Sequence, residues 1–206
     1  PDKPILFAMS RLDVIKNMAG LVEWFGGNPE LREVANLFLV GGFLDPAESS
    51  DRDEKAQIEL MHRLFDEHDL EGEARWVEMQ TDKNRVGEIY RSVADTRGAF
   101  VQPALFEGFG LTVVEAMSSG LPVFATRFGG PLEIVEDGAS GFHIDPNHGE
   151  RASQRMLGFF ETTDADPRAW QVVSDATIAR VRAQYNWELY AAKLLSLSRI
   201  YGFWKF

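Results

Sequence analysis

Short, mostly apolar runs at 4–8, 37–40, 74–77, 99–101, 122–125 and 141–144 alternate with segments of helical spacing. These runs lack the polar–apolar alternation of a sheet with one wet face, so each strand must be covered on both sides. Helical patterns at 17–25, 51–68, 86–94, 111–118 and 131–135 supply that cover. Leu21, Val22, Trp24 and Phe25 mark the buried face of the first, and Ile58, Met61, Leu64 and Phe65 that of the second. Pro131 stands near the start of its helix, where a missing N–H costs nothing. The alternation predicts a doubly wound α/β domain built on a parallel sheet. Three more helices, at 150–161, 167–185 and 187–201, follow without strands and predict a helical tail. The chain divides accordingly into a domain, 1–165, and C-terminal helices, 166–206. The tail is rich in Trp170, Tyr185, Trp187, Tyr190, Tyr201, Phe203 and Trp204, so it is expected to pack on the domain and reach towards a neighbour.

At 206 residues, 45% hydrophobic and 26% charged, the chain can build one full core with appended helices. Cysteine is absent, which excludes a disulfide framework and thiolate chemistry. No run is long enough to span a bilayer and no signal-peptide pattern opens the sequence, so a cytoplasmic location is expected. The opening Pro1-Asp2-Lys3-Pro4 leads straight into a strand and reads as a cut fragment or a domain boundary. A net charge of −11 with no basic block argues against nucleic acid as a partner. An anionic ligand would have to be held by a few locally gathered cations.

In a parallel sheet the loops after successive strands converge on one rim, where such folds bind ligands. Ser10, Arg11, Leu12, Asp13 and Lys16 follow the first strand, and Gly41 and Gly42 the second. Gln80 and Thr81 follow the third, residues 107–112 the fourth, and residues 126–131 the fifth. Arg11 and Lys16 offer a planar bidentate donor and a compact charge, which together suit a diphosphate. Backbone N–H groups at Gly110, Leu111 and Thr112, opening a helix, add an anion site. The carboxylate of Glu115 suits a ribose diol, Gln80 a base edge and Glu107 sugar hydroxyls. Taken alone, Arg11 and Lys16 fit surface ion pairs, and Glu115 fits an acid favoured by the helix dipole.

Several other chemistries lack their motifs. No G-x-G-x-x-G follows the first strand and no P-loop is present. His62, His68, His143 and His148 have no ligand spacing. Asp51-Arg52-Asp53 and Asp164-Ala165-Asp166 mimic a metal-binding Asp-x-Asp, but a helix start and a following Pro167 favour capping and turn roles. Neither a metal nor another cofactor is required by these residues.

Met9-Ser10-Arg11-Leu12-Asp13 with Lys16-Asn17 resembles the S/A-R-x-D-x-x-K-N phosphate loop of retaining glycosyltransferases with two facing Rossmann-like (GT-B) domains. Glu107 and Glu115 match the E-x7-E motif of the same enzymes. Four longer strings, at 20–24, 95–105, 141–146 and 201–205, are similar to the sucrose synthase family; sucrose-phosphate synthase shares the E-x7-E logic without them. The resemblance covers nearly the whole chain. It implies the nucleotide-sugar-binding, C-terminal half of an enzyme that converts sucrose and a nucleoside diphosphate into nucleotide-glucose and fructose, reversibly and with retention, without metal.

By motif match the resemblance assigns Arg11 and Lys16 to the diphosphate leaving group, and Glu107 to hydroxyls of the transferred glucose. Phe109 and Gly110 would position the donor through backbone amides. Leu111 and Thr112 would lie against phosphates and ribose, Glu115 would bind the ribose, and Gln80 would read the base. Val86 stands where plant members carry Asn, which leaves ADP as plausible as UDP, and Gly108 replaces the usual Ala. The acceptor domain of the family lies upstream of these motifs, so sucrose or fructose would bind only with it, and a homo-oligomer is implied for the full-length protein. A fragment of this kind should bind nucleotide weakly and turn over nothing. Two rival readings are a stand-alone nucleotide-sensing or interaction module without catalysis, and a trehalose- or glycogen-forming glucosyltransferase.

Overall fold

The computed structural model describes residues 3–202. Its strands are β1 (Ile5–Met9), β2 (Asn36–Val40), β3 (Ala74–Val77), β4 (Ala99–Gln102), β5 (Val123–Thr126) and β6 (Phe142–Ile144). They form one sheet in the order β3-β2-β1-β4-β5-β6, every pairing parallel. This is the doubly wound, Rossmann-like arrangement, and its strand order reverses between β1 and β4. β1 and β4 therefore splay their following loops apart, and a crevice opens between them.

The helices are α1 (Met18–Gly26), α2 (Pro29–Val34), α3 (Arg52–Glu67), α4 (Lys83–Asp95), α5 (Leu111–Ser118), α6 (Pro131–Ile134), α7 (Gly149–Ala165), α8 (Pro167–Gln184) and α9 (Trp187–Gly202). Two hydrophobic cores lie on opposite faces of the sheet. Leu6 and Ala8 of β1 point into one core with side chains of α1, α3 and α7. Phe7 and Met9 point into the other with side chains of α4, α5 and α6. Both faces of β1, β4 and β5 are dry, and that is why these runs read as continuous in sequence, whereas the edge strands β3 and β6 admit Arg75 and His143. The polar Gln102, at the end of β4, is an exception with a purpose described below.

The short helix α2 lies outside the periodic segments identified in the sequence. Its signal is local: Asn28 accepts from the Leu31 N–H and Pro29 sits in the first turn. α4 starts three residues earlier than its apolar pattern, because Asp82 caps it through the Asn84 and Arg85 N–H groups. Asp51 caps α3 and Asp166 caps α8, so both Asp-x-Asp lookalikes end in helix-capping or turn segments.

The tail divides into two unlike parts. α8 straps the domain: Trp170 is buried in the first core and donates to the Gly98 carbonyl at 2.9 Å, while Val181 is buried in the second core. Tyr185 ends the strap against Phe109, with ring centroids 6.5 Å apart. α9 buries none of its residues, and Trp187, Tyr190 and Tyr201 are exposed. The expectation that the whole tail packs on the domain is corrected for α9, none of whose residues is buried; the rings of Trp187 and Tyr190 meet each other, with centroids 5.8 Å apart. Phe203 and Trp204 lie outside the described residues. No helix among those described is long and apolar enough to cross a membrane.

Candidate functional site

Three loops meet at the point where the strand order reverses. The loop after β1 makes a 3₁₀ turn, Val14–Lys16, started by Asp13, whose carboxylate accepts the Lys16 N–H at 2.9 Å. Asn17 ends that turn in the left-handed region and donates through Nδ2 to the Pro103 carbonyl at 3.0 Å. The Leu105 N–H donates to the Ile15 carbonyl at 2.8 Å. These contacts fasten the first loop to the loop after β4.

Lys16 Nζ then lies 2.6 Å from Glu107 Oε2, with 20% and 14% of the two side chains exposed. Glu107 accepts a second bond from Gln102 Nε2 at 2.9 Å. Gln102 is buried, and this contact explains why an amide ends an otherwise apolar strand. The backbone of Glu107 is held as firmly as its side chain. Its N–H donates to the Phe128 carbonyl at 3.0 Å, and its own carbonyl accepts from the Gly130 N–H at 2.9 Å. A Cβ at Gly129 would overlap the Glu107 carbonyl, and one at Gly130 would overlap that of Phe109. Two glycines are thus required for the loop after β5 to lie this close.

Gly110, at φ 103°, turns the chain into α5. A residue with a Cβ would be strained there. No side chain caps α5, and its first helical bond runs from the Val114 N–H to the Gly110 carbonyl. The N–H groups of Leu111, Thr112 and Val113 therefore have no acceptor among the described residues. Uncapped N–H groups and a helix dipole are the features that suit an anion, and Leu111 and Thr112 line the same cleft as Lys16.

Arg11, Lys16, Glu107, Phe109, Gly110, Leu111 and Thr112 line one cleft of about 340 Å³. Its floor includes Gln102, with Met9 and Met79, none of which carried a role in the sequence reading. For Gln102 a signal was present, a lone amide ending an apolar run. For the methionines there was none. Arg11 reaches into solvent, 78% exposed, and pairs with Asp13 at 3.2 Å.

Two residues depart from the sequence picture of one converging set. Glu115 stands one turn into α5, outside the lining of the cleft, and its carboxylate is 3.4 Å from the hydroxyl of the buried Tyr90. Desolvation there raises the Glu115 pKa, against the lowering effect of the Tyr90 hydroxyl and of Lys83, although the residue as a whole is exposed. The same desolvation, with the Glu115 charge, pushes the Tyr90 hydroxyl upward. Gln80 is also outside the lining; its Nε2 points back to the Glu78 carbonyl at 3.4 Å, while the neighbouring Met79 takes the cleft position.

A family model for group 1 glycosyl transferases matches residues 1–171. The chain belongs to this family. It is 56% identical over all 206 residues to a sucrose synthase from Nitrosomonas europaea, of which it covers 26%. The chain thus spans about a quarter of the length of the curated relatives it matches. Among solved structures it is similar to a sucrose-phosphate synthase from Thermosynechococcus elongatus, with a TM-score of 0.76 and 28% identity over 97% of this chain and 46% of that one. The fold also matches Anabaena HepE in complex with UDP-glucose, with a TM-score of 0.74 and 20% identity over 94% of this chain and 49% of that one. The fold is that of the C-terminal domain of a GT-B glycosyltransferase, with its helical tail.

Proposed function

We propose that this chain is the donor-binding half of a retaining glucosyltransferase of the sucrose synthase type. The observation that carries the reading is the convergence of Lys16, Glu107 and the open start of α5 on one cleft at the strand-order reversal. A nucleoside diphosphate fits it chemically: the diphosphate lies between Lys16, Arg11 and the free N–H groups of α5. Negative charge that builds on the leaving diphosphate is then met by donors already in place. Lys16 shifts from Glu107 towards the phosphates, which frees Glu107 to accept from hydroxyls of the transferred glucose. Phe109 and Gly110 shape the donor pocket through their backbone, Leu111 and Thr112 flank phosphates and ribose, and Glu115 and Gln80 reach ribose and base by rotating from their present partners. No metal takes part in this reading. Sucrose and fructose bind only when an acceptor domain faces the cleft, and the bare apolar side chains of α9 supply a surface for it.

Calorimetry with UDP and with ADP tests the reading. The wild-type chain should bind at least one of them at up to millimolar concentration. Arg11→Ala, which removes a charge-assisted contact, should weaken that binding roughly tenfold. If neither nucleotide binds at millimolar concentration, the assignment of the cleft is wrong. Sucrose cleavage by the purified chain alone would overturn the dependence on an acceptor domain.

A further inference from the structure

A second and larger cavity, of about 510 Å³, opens beside the carboxyl end of β6, between the loop after β5 and the start of α7. Arg127, Arg151 and Arg155 all line it, in a chain whose net charge is −11. Two carboxylates share the wall, Asp137 and Asp145, so the charge available to a ligand depends on what each acid already holds.

Both acids are committed inside the protein. Asp137 pairs with Arg155 at 2.8 Å and accepts the His143 N–H at 2.7 Å. Burial alone would push its carboxyl up, but the His143 N–H and the Arg155 guanidinium outweigh that and hold it below its ordinary value. Asp145 accepts from the Asn147 N–H and Nδ2, each at 3.0 Å, and faces His148 Nδ1 at 3.4 Å. Arg155 is fixed as well: it donates to the His143 carbonyl at 2.6 Å and lies over the Phe142 ring.

Arg127 and Arg151 remain. Neither guanidinium has a carboxylate within ion-pair distance or a hydrogen-bond acceptor among the described residues, although that of Arg127 lies 6.0 Å from the Phe128 ring centroid. They stand on different elements, one at the end of β5 and the other in the first turn of α7, and face the same space. α7 begins at this wall with His148 as an N-cap that makes no side-chain bond, and its first helical bond runs from Ala152 to His148. The protein thus leaves two guanidiniums and a helix start open at a cavity where Asp137 is paired with Arg155 and Asp145 is engaged by Asn147.

We propose that this cavity binds a phosphate group, carried by a small phosphorylated molecule or as free phosphate, through Arg127 and Arg151 with the α7 start as third partner. A tetrahedral dianion presents enough oxygens for two guanidinium forks and backbone N–H groups at once, which a single carboxylate does not. The volume exceeds what bare phosphate needs and leaves room for a sugar-sized remainder. The site is separate from the nucleotide cleft and does not rest on the function proposed for that cleft.

Amide NMR of the 206-residue chain, titrated with inorganic phosphate, with a hexose monophosphate and with uncharged glucose, tests this directly. Both phosphates should shift the Gly149, Glu150 and Arg151 amides, while glucose should not. Tighter binding of the hexose monophosphate assigns the ester, and equal affinity assigns free phosphate. Arg127→Ala/Arg151→Ala should weaken the response at least roughly tenfold, the loss of a charge-assisted contact. Its melting temperature should hold to within a few degrees, since both side chains are exposed and neither makes an ion pair among the described residues. Lys16→Ala, which alters the nucleotide cleft, should leave the response intact. The proposal fails if ten-millimolar phosphate and hexose monophosphate both leave these amides unmoved. It fails equally if the double variant responds as the wild type does, or if only the amides of Leu111 and Thr112 shift.

Discussion

The start of α3 is closed by its own chain, with Asp51 accepting from the Asp53 and Glu54 N–H groups at 2.7 and 3.2 Å, whereas α5 starts at Gly110 with no cap at all. Both helices follow a strand of the same sheet, so the difference does not come from the fold. α3 spends a side chain on its own stability, as α4 and α8 do with Asp82 and Asp166. α5 forgoes that gain, and its N–H groups stay available at the cleft. Between these two helices, the way the helix begins separates scaffold from cleft.

The comparison can be broken most severely at the glycines that hold the open helix start in place. Gly129→Ala forces a Cβ into the Glu107 carbonyl at a backbone φ of 101°. The expected cost is about 3 kcal/mol or more of folding stability in urea unfolding, from strain and overlap together. A loss below about 1 kcal/mol would show that the loop after β5 moves freely of the site. Asp51→Ala sharpens the contrast: removing the cap should cost about 1 kcal/mol of stability and leave nucleotide affinity unchanged. A change in affinity would mean that α3 is coupled to the cleft.

The smallest effect is expected at Glu115, inside α5 itself. Its folded-state pKa is raised by desolvation above the ordinary 4.5, so the folded state favours the protonated carboxyl. The fold therefore carries no penalty at low pH, where the group is protonated in both states. A penalty develops as the pH rises through the unfolded and then the folded value. Glu115→Gln should match the wild type in stability at pH 3 and equal or slightly exceed it at pH 7, by a few tenths of a kcal/mol at this exposure. Lower stability of the variant at pH 7 would show that the Tyr90 hydroxyl and Lys83 outweigh desolvation at Glu115.

The sheet was legible because its strands are buried on both faces, so residues such as Leu6-Phe7-Ala8 read as unbroken apolar runs. Helix starts marked by Asp51 and Asp166 were legible for the same local reason that makes them caps. α2 was not, since six residues are too few for a period and only Asn28-Pro29 announces it. Lys16 and Glu107 were each recognised as rim residues, but their contact spans 91 positions and depends on which loops the strand order brings together. The positions of Gln80 and Glu115 were less legible still. Side-chain direction is set by neighbours such as Tyr90 and the Glu78 carbonyl, which no motif encodes. α9 shows the opposite failure: its apolar side chains imply burial, and a helix pattern alone does not say against what.

The Lys16–Glu107 pair also bears on how fast a diphosphate arrives. With Lys16 already neutralised at 2.6 Å, Arg11 is the cation in the cleft that reaches furthest into solvent, and Asp13 shields it in part. An anion approaching a molecule of charge −11 is repelled before it meets any of these contacts. Salt screens that repulsion over about 10 Å at 0.1 M. Association of a nucleoside diphosphate should therefore speed up as salt is added, the reverse of an electrostatically steered site, and the cleft acts as a trap that holds anions without calling them in.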